Sequence, residues 1–353
     1  MNDRRKNEVP GRADEFVNRP FDARRWPAPA EACDGHCWIA TQVGVESACP
    51  SVRSKERQLN RAVWLVVVLC VVLGALPVAA FARQFLRTRQ QATTVARLKS
   101  LGGQVTYDFE QGNPTRDRTP LQRILGDDFS GTVVKVDLSH ARVTDNDLII
   151  LRDLPAVTWL SLYDTAISDE GLVTVGSLTQ LEFLWLDQTE ITDKGIRELA
   201  DLQNLRELVV QYTAITDAAM ADIARLRDLR KLALAETGVT DAGVEQLADL
   251  QLESLKLDGT KVSDASAHTL GGFSRLRRLD LFNTGVTDIV LEFSANWSAI
   301  ESIRIWDTVI SDDCVDDLSK LKSLRWLGIG NTRISDAGAR ALQEALPGCQ
   351  IFR

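Results

Sequence analysis

One stretch constrains the fold of this chain more than any other. Thr179–Leu202 reads TQLEFLWLDQTEITDKGIRELADL. Leu181, Leu184 and Leu186 are spaced as LxxLxL, Thr189 follows, then Ile191-Thr192-Asp193, then an apolar run at Ile196, Leu199 and Leu202. The Asp that follows Thr or Ser recurs at Asp145, Asp169, Asp193, Asp217, Asp241, Asp264, Asp288, Asp312 and Asp336, at intervals of 24 residues with a single 23 between Asp241 and Asp264. A fixed period of this size is the signature of a solenoid, in which each unit buries its apolar side only against its neighbours. Alternation at the leucines predicts a strand, and the wider spacing after the Asp predicts a short helix. Thr192 suits a helix N-cap, and Asp193 puts negative charge where the helix macrodipole favours it. The Asp residues stand one coil apart and do not converge on a cation at ~2.5 Å, so capping accounts for the column and calcium does not.

The frame LxxLxLxxTxITDxGLxxL resembles the leucine-rich repeat, from about Gly131 to Arg353. Thr165, Thr189, Thr213, Thr237, Thr260, Thr284, Thr308 and Thr332 stand where that repeat usually has its ladder Asn, with Ala141 in the first copy. A hydroxyl there can bond the backbone of the turn. The I-T/S-D-x-G variant is similar to the cysteine-containing subclass found in F-box adaptors and to membrane-anchored bacterial leucine-rich-repeat proteins. The latter type is also matched by one long apolar stretch, by GGxVxYD at Gly102–Asp108 and by LGDDF at Leu125–Phe129. No F-box sequence precedes the repeats, so an adaptor role does not carry over. The resemblance implies an α/β solenoid, a horseshoe of about nine repeats with a concave parallel sheet and short convex helices. It implies binding rather than catalysis.

With the leucines facing the core, the residues between them line the concave surface. That places Trp159, Tyr163, Phe183, Trp185 and Asp187 early on this face, and Arg278, Asp280, Phe282, Arg304, Trp306 and Trp326 late. Exposed aromatics are informative because burial is their default, and Trp and Tyr dominate interface hot spots. The pattern points to a protein or peptide ligand, with Arg278, Asp280 and Arg304 supplying polar specificity. The competing reading is a structural or self-assembly role in the cell envelope. Repeat seven departs from the frame, since Ser294 stands where Leu is usual and Trp297 closes the unit.

Ahead of the repeats, residues 1–61 read as a disordered tail rich in Arg, Pro and Asp. Cys33, His36, Cys37 and Cys49 could supply four zinc ligands, but Cys-x3-Cys with one interposed His matches no common finger spacing. No cofactor is expected. Residues 62–82, AVWLVVVLCVVLGALPVAAFA, carry no charge. They match the ~20 residues that a helix needs to cross a bilayer, which predicts a single-pass membrane protein. Basic residues flank both ends in near-equal number, so the charge bias does not set an orientation. A cytoplasmic tail would keep its thiols reduced, which places the repeats outside the cytoplasm. Residues 83–130 read as a juxtamembrane helix over Gln84–Leu101, a strand over Gln104–Phe109, and a second helix from Thr119, whose Leu121, Ile124, Leu125 and Phe129 roof the first repeat.

Composition excludes some partners. From Asp127 onward there are 37 Asp and Glu against 22 Lys and Arg, a balance of −15. Such a domain lacks the basic face that a nucleic-acid backbone requires. The histidines are His36, His140 and His268, and no G-x-S-x-G, P-loop or H-E-x-x-H occurs.

Overall fold

The computed structural model describes residues 63–68, 78–110 and 131–353. Residues 63–68 are helical, and a long helix α1 spans Val78–Ser100. Among the described residues no helix is long and apolar enough to cross a membrane. The expected span 62–82 is described only at 63–68 and at the first turn of α1. The tail, with its Cys33, His36, Cys37 and Cys49, lies outside the described residues, as does the roofing helix expected from Thr119.

The strands are β1 (Gln104–Tyr107), β2 (Val133–Asp137), β3 (Trp159–Ser161), β4 (Phe183–Trp185), β5 (Glu207–Val209), β6 (Lys231–Ala233), β7 (Ser254–Lys256), β8 (Arg278–Asp280), β9 (Ser302–Arg304), β10 (Trp326–Gly328) and β11 (Gln350–Phe352). They form one eleven-stranded sheet in chain order. β1 runs antiparallel to β2, and the later pairs are parallel with the same register throughout. The middle residue of each repeat strand points inward. Leu160, Leu184, Leu208, Leu232, Leu255, Leu279, Ile303 and Leu327 are all buried in one continuous core with the helix residues behind them.

α1 closes the first end of that core. Val95 and Leu98 are buried in it, Thr94 donates to Asp153 at 3.1 Å and Arg97 pairs with Asp147 at 3.1 Å. Gly102, at φ 97°, lets the chain reverse into β1. The strand expected over Gln104–Phe109 stops at Tyr107, because Asp108–Glu110 forms a 3-10 turn. Phe109 there stacks on Tyr107 at 5.4 Å.

Two polar columns hold the coils. All eight ladder threonines donate to the carbonyl three residues earlier in their own turn, from Thr165 to Leu162 at 2.6 Å through Thr332 to Ile329 at 2.7 Å. The residue before each, and His140 before Ala141 in the first copy, is left-handed: His140, Asp164, Gln188, Tyr212, Glu236, Asn283, Asp307 and Asn331 have φ of 51–59°, and Gly259 has 65°. The bond between successive coils is made instead by the Asp column. Thr216 donates its N–H and its hydroxyl to Asp193, both at 2.7 Å. Thr240 does the same to Asp217 at 2.7 and 2.6 Å. Asp145, Asp169, Asp241, Asp264 and Asp288 hold the next coil's Ser or Thr in the same way. The aspartates from Asp145 to Asp312 therefore do more than face a macrodipole: each anchors the Ser or Thr that precedes the next repeat's Asp.

That anchor explains the recurring Gly. A Cβ at Gly171 would stand 2.4 Å from Asp145 Oδ1, and one at Gly243 would stand 2.2 Å from Asp217 Oδ1. Where Gly is present the helix is α from its Asp, as in Asp169–Val175, Asp193–Arg197, Asp241–Gln246 and Asp336–Ala345. Where Ala219, Ser266 or Cys314 replaces it, the first turn tightens to 3-10, as in Asp217–Ala219, Asp264–Ser266 and Asp312–Cys314.

Candidate binding face

Because every repeat pair keeps one register, the outward strand residues fall into rows running across the sheet. One row is Lys135, Trp159, Phe183, Glu207, Lys231, Ser254, Arg278, Ser302, Trp326 and Gln350. The parallel row is Asp137, Ser161, Trp185, Val209, Ala233, Lys256, Asp280, Arg304, Gly328 and Phe352. Tyr163, Asp187, Asp258, Phe282 and Trp306 follow two residues after the second row. These are the residues expected on the face away from the helices, and the fold sets them side by side.

Their exposure differs from the expectation. The aromatics are half-buried rather than open, because rings from neighbouring strands cover each other diagonally. Trp159 meets Trp185 edge-on at 5.0 Å, and Lys135 Nζ lies 3.6 Å from the centre of the Trp159 ring. Trp185 Nε1 donates to Glu207 at 3.0 Å. At the other end Trp306 packs on Trp326 at 5.5 Å, and Trp326 stacks on Phe352 at 5.0 Å. A Cβ at Gly328 would stand 2.3 Å from Trp306 Nε1, so that glycine makes room for the indole. Trp306 Nε1 is itself buried without a hydrogen-bond partner. Phe183 and Phe282 are half-buried as well.

The acidic positions are less open still. Asp187 is buried and accepts a 3.1 Å bond from Gln211 Nε2; burial holds its carboxyl above the usual carboxylate range. Asp280, 4% exposed, is paired with Arg304. Arg304 also reaches Asp258 at 3.6 Å. Burial first, then the Asp280 charge, pushes the Asp258 carboxyl up to about 6. Sequence reasoning misses Asp258 as a member of this cluster because its partner Arg304 lies two repeats away.

A raised folded pKa means that folding favours the protonated carboxyl. This contribution is complete below the unfolded value near 4 and is lost as pH rises through about 6. Asp258→Asn is therefore expected to stabilise the protein by about 1–2 kcal/mol at pH 7. The gain should vanish at pH 4, and paired urea titrations at the two pH values would read it.

Among the described residues, no group of three His, Cys, Asp or Glu side chains could hold a metal. His140 Nδ1 lies 2.8 Å from Asp164, but both side chains are exposed and the nearby Ser139 hydroxyl is given to Asp137 at 2.7 Å. The pair has no bonded nucleophile among the described residues.

No family model matches the chain, and no curated protein matches it. Among solved structures it is similar to internalin C2 from Listeria monocytogenes, at 27% identity over 59% of this chain and 84% of that one, with a TM-score of 0.45. It is also similar to the plant peptide hormone receptor RGFR1 in complex with RGF2, at 14% identity over 63% of this chain, with a TM-score of 0.42. There the match spans only 39% of the receptor's length. The 24-residue frame, the in-step parallel strands and the leucine columns behind them make residues 131–353 a leucine-rich-repeat solenoid.

Proposed function

We propose that this protein binds an extended protein or peptide segment across the open face of its sheet, tethered to a membrane and carrying no chemistry of its own. The observation that supports the reading is the pair of interlocked aromatic groups at the two ends of one continuous face, Trp159 with Trp185 and Trp306 with Trp326 and Phe352. Partly covered rings offer large apolar area at little cost in side-chain entropy, which is what interface anchors require. The tether is the uncharged stretch 62–82, and the repeats are placed outside the cytoplasm.

Replacing Trp185 and Trp306 by Ala should weaken capture of a partner from cell extract roughly 30-fold each, the scale of a hot-spot residue. Retention of every partner by both variants would remove the open face from consideration. If self-association were lost while no other partner changed, the assembly role would replace this reading. A periplasmic-active reporter fused after Arg353 should be active; activity only of a cytoplasmic reporter would reverse the orientation.

A further inference from the structure

Most cations on the open face are already engaged. Lys135 covers Trp159, Lys231 pairs with Glu207 at 2.9 Å, and Arg304 is held by Asp280 and Asp258. Lys256 sits beside Asp258, whose ionisation it favours. Arg278 differs. It is exposed at the start of β8 and stands in register between Ser254 and Ser302. Among the described residues neither serine hydroxyl is hydrogen-bonded, Ser254 being buried and Ser302 half-buried; Arg278 makes no direct ion pair, although its charge favours ionisation of Glu301 nearby. Beside it, a shallow groove of about 410 Å³ at the sheet's rim is lined by Arg275, Arg277, Arg325, Glu253 and Glu301. Glu301 is already taken by Arg277. The corner thus keeps surplus positive charge, in a domain whose balance from Asp127 onward is −15.

An exposed guanidinium flanked by the half-buried Ser302 hydroxyl and, deeper, that of Ser254 is a donor set for a carboxylate. Two strands further along the same row lies Trp326, stacked on Phe352 and packed on Trp306. Neighbouring strands are ~4.8 Å apart, so the two features are separated by about 10 Å. A chain in the polyproline II conformation returns a side chain to the same side about every 9 Å, after three residues.

We infer that the open face recognises an acidic peptide in which Asp or Glu stands three residues from a large apolar side chain. The carboxylate is taken by Arg278, Ser254 and Ser302, and the apolar group rests on Trp326 and Trp306. This rests on the open-face reading above and adds the chemistry of the partner. The charge surplus supports an acidic partner, and the spacing sets its pattern.

The test is selection of random phage-displayed octapeptides on the full chain in mild detergent, repeated with Arg278→Gln. Enriched sequences should carry Asp or Glu three residues from Trp, Phe or Leu. A synthetic representative should bind Arg278→Gln about tenfold or more weakly, and its Asp→Asn version should bind both proteins alike. Ser254→Ala with Ser302→Ala should cost severalfold, and Lys194→Gln on the helical side should cost nothing. An enriched set without acidic bias, or a bias that survives in Arg278→Gln, overturns the inference. If such peptides still require Trp306 and Trp326, the open-face reading stands without it. Failure to enrich any peptide also overturns the inference, while the capture assay decides the broader reading separately.

Discussion

Replacing Trp297 by Ala should destabilise the solenoid by about 4–5 kcal/mol, the upper range for a large-to-small core change. In repeat seven the usual helix leucine is Ser294, which leaves the coil short of apolar volume. Trp297 is 0% exposed and fills that space, with Nε1 donating to the Leu270 carbonyl of the previous repeat at 2.9 Å. Truncation removes the buried ring and one of the two bonds to that carbonyl, which keeps only its 3.2 Å bond from Phe273 N–H, so a lost hydrogen bond adds to the transfer and cavity terms. Trp297→Phe keeps most of the volume and loses the bond, so a cost of about 1–2 kcal/mol is expected. Repeat arrays need not unfold in one step, so the sensitive measurement is amide exchange along the chain. Protection should fall first in the strands at Arg278–Asp280 and Ser302–Arg304, which flank Trp297. Uniform protection in Trp297→Ala would show that the indole is dispensable packing.

The second large effect belongs to the Asp column. Asp217→Ala should cost about 3 kcal/mol, since it deletes two bonds in which a charged acceptor holds Thr240. Thr240 is also the N-cap of Asp241–Gln246, with its hydroxyl accepting from Ala242 N–H at 3.3 Å. Loss of the anchor therefore loosens two repeats together. Asp217→Asn is the informative companion. It can still accept from the Thr240 backbone, but its amide then faces the hydroxyl, so about half the loss should return. Chemical denaturation of the three proteins side by side would show that order. A loss below about 1 kcal/mol in Asp217→Ala, as for an ordinary surface acid, would mean the column is not a ladder.

Much of this architecture is legible in the residues. Leu184 and Leu208 sit inward because period-two alternation allows nothing else. Thr189 reads as the hydroxyl that bonds its own turn, and it does. What the alphabet conceals is contact across the period. Asp193 reads as a helix-start charge, and nothing local reveals that its carboxylate is taken up by Thr216, 23 residues on. The left-handed residues share no chemistry, since His140, Gln188, Tyr212 and Asn331 occupy equivalent turns. Position identifies the open face but overstates its exposure, because Trp159 and Trp185 cover each other only once strands are laid in register. Asp280 likewise looks available in the sequence, and Arg304 in the next strand occupies it.

The single 23-residue interval has a consequence for how such a chain tolerates change. The missing residue falls between Leu250 and Leu252, where other repeats keep two residues, as at Leu226–Leu229. The adjoining strands nonetheless pair as their neighbours do, with Lys231 opposite Ser254 and Ser254 opposite Arg278. The length error is absorbed entirely at the rim. Residues can therefore be gained or lost at that edge while every side chain on the open face stays in its row, and the surface a ligand would read is insulated from indels in the turns beside it.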